Sequence, residues 1–137
     1  MIVDASALLA VLLSETDASR FADAIAHADA PRIPAPNWLE VAMRLETMSA
    51  SADHAYEAAE AELRRYTANQ WLAVAPFTGE HAVLARQAFR RFGKGRHPAG
   101  LNFGDCIAYA VAKLENRPLL FKGNDFSKTD IEPALKY

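Results

Sequence analysis

Four carboxylates, Asp4, Glu40, Asp105 and Asp125, lie far apart in the chain, yet each falls near the end of an element that the local pattern predicts. Acids brought together repel one another, so either some take up protons or a cation neutralises them. An all-oxygen acidic cluster suits a hard divalent ion, magnesium or manganese. Zinc would want histidine and cysteine; His27, His54, His81 and His97 show no ligand spacing, and Cys106 is the one cysteine. A divalent ion held by carboxylates lowers the pKa of bound water and stabilises charge on a phosphoryl oxygen, so phosphodiester hydrolysis needs no serine, cysteine or histidine nucleophile. No nucleophile–base set stands out in the sequence, in keeping with that scheme.

The elements that must position these acids alternate. Met1-Ile2-Val3 reads as a strand buried on both faces. A short helix follows, with Ser6 a candidate cap. Asp17–Ala28 is amphipathic, with Phe21, Ala24, Ile25 and Ala28 on one face. Arg32–Ala35 is a second strand, and Pro36-Asn37 opens a helix through Leu45. A helix is expected over Asp53–Ala68, a third strand over Leu72–Ala75, and a helix capped by Thr78 that runs to about Phe92. Gly93–Leu101, with three glycines and Pro98, reads as an exposed, mobile loop. A helix over Asn102–Glu115, a strand over Pro118–Lys122 and a short edge strand near Leu135 complete the series.

Strands alternating with helices imply an α/β domain with a mainly parallel sheet, and ligands bind such sheets beyond the carboxyl ends of the strands. Asp4 and Asp125 follow strands directly. Glu40 and Asp105 lie in the first turns of helices that begin at that same edge. Topology therefore places all four on one rim.

Each acid also has a structural explanation. Asn37-Trp38-Leu39-Glu40 and Asn102-Phe103-Gly104-Asp105 both have capping-box spacing, and acids in a first helical turn are favoured by the helix dipole. Asp125 fits a turn in Gly123-Asn124-Asp125. Asp4 is harder to explain this way, because an aspartate ending a buried strand is costly unless something pairs with it. Ser6 either caps its helix or bonds a metal-bound water. Asn102 is a cap and a candidate for a second role near a substrate. Cys106 reads as a small buried hydrophobe.

With 137 residues the chain fits one domain, and its 51% hydrophobic and 23% charged content is that of an ordinary globular protein. A single cysteine excludes an internal disulfide. The longest aliphatic run, Ala7–Leu13, is too short to cross a bilayer, and no basic stretch precedes it as in a signal peptide, so a cytoplasmic location is expected. Net charge is −2, but Arg86, Arg90, Arg91, Lys94 and Arg96 form a run without an acid. A basic patch on an acidic body is compatible with a polyanionic ligand, and Arg90, Arg91 and Arg96 are candidates to grip phosphates; a solvated helix end is the plainer reading.

Met1–Leu8, Glu40 after a proline-rich strand end, Asn102-Phe103-Gly104-Asp105-Cys106 and Leu120-Phe121-Lys122-Gly123-Asn124-Asp125-Phe126 together resemble the PIN-domain proteins, and more narrowly the VapC toxins of bacterial type II toxin–antitoxin systems. The resemblance covers essentially the whole chain, residues 1–137, as a single PIN domain. It implies a three-layer α/β/α fold with a four- to five-stranded sheet and a magnesium- or manganese-dependent endoribonuclease acting on RNA. It assigns catalysis to Asp4, Glu40, Asp105 and Asp125, with Asp4 and Asp105 the direct metal ligands and Asp125 the position at which family members vary. It further implies a cognate antitoxin, a homodimer or toxin–antitoxin assembly, and contacts through the helices around Asp17–Ala28 and Asn37–Ala50. Two other readings remain: a phosphatase with Asp4 as nucleophile, although Ser6 stands where such enzymes carry a second aspartate, and a non-catalytic module that binds RNA or a partner.

Overall fold

The computed structural model describes residues 1–50 and 54–136. In order these form β1 (Ile2–Val3), α1 (Ala5–Leu12), α2 (Ala18–Ala26), β2 (Arg32–Pro34), α3 (Ala35–Ser49), α4 (Ala55–Ala68), β3 (Ala73–Ala75), α5 (Gly79–Phe92), α6 (Phe103–Leu114) and β4 (Leu119–Leu120), then a 3-10 turn at Phe126–Lys128. The expected start of the fourth helix at Asp53 lies outside the described residues. The four strands make one parallel sheet in the order β3-β2-β1-β4. The edge strand expected near Leu135 is a single parallel bridge between Leu119 and Pro133. Among the described residues no helix is long and apolar enough to cross a membrane.

The sheet is short, but its residues reach two cores. Ile2 and Leu119 pack with α5, α6 and Phe121 on one face. Val3, Ile33 and Leu120 pack with α1 to α4 on the other. Successive strand residues point to opposite faces, so two apolar residues in a row are enough to hold both layers. Helix α6 is buried from Cys106 to Ala112, and its Ala108 and Ala112 share a core with Ala88 and Phe92 of α5. The result is the three-layer α/β/α arrangement, with the carboxyl ends of β1, β2 and β4 opening on one side.

The segment between α5 and α6 departs from expectation. It is closed by its own backbone rather than open to solvent. Gly93 and Leu101 form a parallel bridge; Lys94 N donates to Leu101 O at 3.0 Å and Leu101 N to Phe92 O at 3.0 Å. Ala99 N donates to His97 Nδ1 at 3.1 Å, and the His97 ring stands edge-on to Phe92. Ala99 and Leu101 are buried, and only the tip and Pro98 are exposed. Glycine content suggested mobility, but the two apolar anchors decide the outcome. A Cβ on Gly93 would lie 2.3 Å from Phe89 O, so the chain can leave α5 this sharply only with glycine there.

Leu101→Ala should therefore lower stability by about 2–5 kcal/mol, as for other buried leucines. Lys94→Ala at the tip should change it by no more than about 0.5 kcal/mol. Urea unfolding of the two variants measures this, and equally small effects would mean that the loop is not anchored.

Candidate active site

Asp4 ends β1 and is 4% exposed. Its backbone is extended and its carboxylate caps α1, accepting from Ser6 N at 3.0 Å. Ser6 is therefore not the cap, contrary to expectation. The last residue with extended geometry is Asp4, so the helix begins at Ala5 and takes Ser6 into its first turn. Ser6 Oγ instead donates to Asp4 Oδ2 and accepts from Lys122 N at 3.0 Å, which ties the acid to the chain leaving β4.

The second correction is at Asn37. Pro36 fits the first turn of a helix, and α3 starts at Ala35, directly after β2. Asn37 thus lies inside the helix, fully buried, and the capping box expected with Glu40 does not form. Asn37 Nδ2 donates to Asp4 Oδ1 at 3.3 Å and to Gly104 O at 3.1 Å, joining β1, α3 and α6 at one point. Its Oδ1 is buried without a partner. Reading Asn37 only as a cap hid this role. Pro36, which marks an earlier helix start, was the available signal.

Glu40, released from capping, reaches across to α6. A Cβ on Gly104 would lie 2.6 Å from Glu40 Oε2, so any side chain at that position would displace the carboxylate. Asp105 does form its expected capping box: Asn102 N donates to Asp105 Oδ2 at 2.8 Å and Asp105 N to Asn102 Oδ1 at 2.9 Å. One Asp105 oxygen is thereby fixed in direction, and the other carries no such duty.

Burial is the first cause that raises the pKa of Asp4, Glu40 and Asp105 alike. Mutual repulsion adds to it. Glu40 acts on Asp4, Asp105 acts on Glu40, and Asp4 and Asp125 act on Asp105, which is pushed up to about 6. The structure thus brings Asp4, Glu40 and Asp105 together. Asp125 is exposed just before the 3-10 turn and makes no capping bond, and its charge acts on Asp105. Burial, together with the Asp105 charge, pushes the Cys106 thiol up to about 11, so it is no thiolate nucleophile at neutral pH. Both Asp4 oxygens accept hydrogen bonds, Oδ2 from Ser6 and Oδ1 from Asn37.

No three of the described Asp, Glu, His and Cys side chains are arranged to hold an ion by themselves. Magnesium is commonly held by one or two carboxylates and keeps several waters. An all-carboxylate set that is destabilised by its own charge fits such an ion, and it lacks the nitrogen and sulfur donors that zinc prefers.

Of the basic stretch, Arg91 is paired with Asp130 at 3.5 Å and lies over the Phe92 ring at 4.6 Å. It offers less free charge than expected. Arg96 lies over Phe89 at 5.6 Å, and Arg90 is exposed.

The family model described as PIN domain matches residues 1–132. The chain belongs to the PIN-domain family. Within it the VapC type is shown by similarity along nearly the full length. Ribonuclease VapC28 of Mycobacterium tuberculosis is 44% identical over 141 residues, covering 98% of each chain. Ribonuclease VapC of Mycolicibacterium smegmatis is 39% identical, covering 96% of this chain and 97% of the relative. Among solved structures, the sarcin-ricin loop cleaving toxin VapC20 of Mycobacterium tuberculosis superposes with a TM-score of 0.70 over 95% of both chains. At 14% identity that likeness speaks for the PIN fold alone.

The raised Asp105 pKa fixes the sign of a stability effect. Between the ordinary carboxylate value near 4 and about 6, the folded chain binds more protons than the unfolded one, so this group's contribution falls as pH rises through that window. At neutral pH without divalent ions, Asp105→Asn should stabilise the fold by about 1–2 kcal/mol, a range discounted because solvent reaches the carboxylate. Below about pH 4 the gain should vanish. Thermal unfolding in EDTA at the two pH values measures it; a variant less stable than wild type at neutral pH would contradict the electrostatic account.

Proposed function

We propose that this VapC-type protein is an endoribonuclease toxin that hydrolyses RNA phosphodiesters with metal-activated water at Asp4, Glu40 and Asp105, with Asp125 at the margin. The observation that carries this reading is that carboxylates from three separate elements meet at one point, where Asn37 joins Asp4 to Gly104 O, Glu40 lies against Gly104 and Asp105 follows it. The names of the full-length relatives, which are ribonucleases, support it.

Asp4 and Asp105 are the proposed ligands for magnesium or manganese. When bound, the ion supplies an activated water and stabilises charge on the phosphoryl oxygen. Ser6 and Asn37 hold Asp4 in place, and Asn102 holds Asp105. Glu40 stands at the open side of the group with its pKa raised, the property of a side chain that takes a proton from an attacking water. Asp125 adds negative charge near Asp105. Arg90 and Arg96 contribute phosphate contacts, Arg91 fewer because Asp130 holds it.

The family implies a cognate antitoxin and a homodimer or toxin–antitoxin assembly, formed through α2 and α3. Exposed Leu39 and Met43 on α3 support a contact there. A cytoplasmic location follows from the same reading.

Labelled RNA incubated with the purified chain and magnesium or manganese should be cleaved. EDTA should stop cleavage, and Asp4→Asn or Asp105→Asn should lower the rate roughly a hundred-fold or more. Cleavage that persists in EDTA, or in both variants, rules out the carboxylate–metal scheme.

A further inference from the structure

Asn37 is fully buried beside the acids, more completely than Asp4 itself. Its amide cannot be turned over. Nδ2 donates to two acceptors, Asp4 Oδ1 at 3.3 Å and Gly104 O at 3.1 Å, and a flipped amide would set oxygen against oxygen at both. Oδ1 therefore keeps its place, and among the described residues no group donates to it. The next residue carries an unpaired donor, Trp38 Nε1, but adjacent residues of a helix do not face each other. A buried acceptor without a partner is costly, and leucine would fill much the same volume without that cost. The groups at hand are of one kind: the Asp4 and Glu40 carboxylates and the Gly104 carbonyl are acceptors. Whatever pairs with Oδ1 has to bring its own proton. A free water would give away its protons there and find few donors for its lone pairs. A water whose lone pair is given to a cation has only protons to offer.

We propose that Asn37 is an outer ligand of the divalent ion: Oδ1 accepts a hydrogen bond from a water that the ion keeps, while Nδ2 of the same amide positions Asp4. The proposal rests on the metal-dependent reading and adds a neutral residue to the acidic site. It accounts for a buried asparagine where the helix needs no cap. An aspartate at this position would add one more charge to a group that already repels itself, and an apolar residue would drop both bonds at once. One planar amide thus couples a direct ligand to the hydration of the ion. The coupling also gives the site a preference. Magnesium gives up its waters reluctantly, whereas calcium takes more oxygen ligands directly, so an amide that holds a water favours magnesium.

Two measurements test this, and neither needs turnover. In the wild-type chain crystallised with manganese, whose anomalous scattering marks the ion, one water should touch both the ion and Asn37 Oδ1. An ion at Asp4 and Asp105 with Oδ1 bonded to a protein donor, to a water remote from the ion, or to nothing overturns the proposal and leaves the carboxylate–metal reading standing. An ion absent from those carboxylates sinks both. Calorimetric titration then compares magnesium with calcium in the wild type and in Asn37→Leu, a near-isosteric change whose fold is checked by thermal melting in EDTA. Magnesium should bind Asn37→Leu roughly ten- to a hundred-fold more weakly, the usual effect of losing a group behind the direct ligands. Calcium should lose clearly less. An equal loss for the two ions would mean that Asn37 acts only by placing Asp4, and an unchanged magnesium affinity that it does not act on the ion at all; either result overturns the proposal. Should Asn37→Leu fail to fold, the crystallographic result decides alone.

Discussion

A carboxylate at the end of a doubly buried strand loses nearly all its water, and unpaired it would be costly. Asp4 is in that position, and much of the site is arranged around compensating it. Its backbone N–H donates to Leu120 O, which keeps β1 in register with β4. Its side chain caps α1, and Ser6 links it to Lys122 N beyond β4. Asn37 brings in α3 and, through Gly104 O, the start of α6. The Ser6 bonds lower the cost of ionising Asp4 without removing it, and the nearby Glu40 raises it again. The buried charge is left in want of a positive partner, the condition under which a divalent ion binds.

The fold is economical in sheet and generous in helix. Two-residue strands suffice to hold β1 and β4 side by side, because Ile2 and Val3 serve opposite faces. The helices then deliver their first turns to one edge. There α3 and α6 approach so closely that residue 104 has to be glycine if Glu40 is to lie where it does. Helix α5 and the closed loop after it carry the arginines to the neighbouring surface.

Much of this was legible in the sequence. Strand–helix alternation and apolar runs gave the parallel sheet, and the position of each acid relative to its element gave the rim. Asn102 and Asp105 behaved as their spacing said. Other features depended on tertiary context. Asn37 has the same offset from Glu40 as Asn102 has from Asp105, yet one asparagine is a cap and the other a buried strut; the difference is a proline that starts the helix sooner. Ser6 and Asp4 are both good caps, and only the backbone geometry at the strand end chooses between them. The glycines of 93–101 pointed to an open loop, while Ala99 and Leu101 close it by burial. Phe103 was read as part of a family motif, and its exposure is visible only in three dimensions.

The central claim is that a self-repelling carboxylate group takes a divalent ion to relieve its charge. Calorimetric titration of manganese into the purified chain, in two buffers of different ionisation enthalpy, tests it most directly. Binding at about pH 6 should release protons, because Asp105 is then partly protonated and must lose its proton to bind. At about pH 8 the release should be smaller, because Asp105 is then ionised beforehand, while binding persists. Binding without proton release at the lower pH, or no binding at either, would contradict the account.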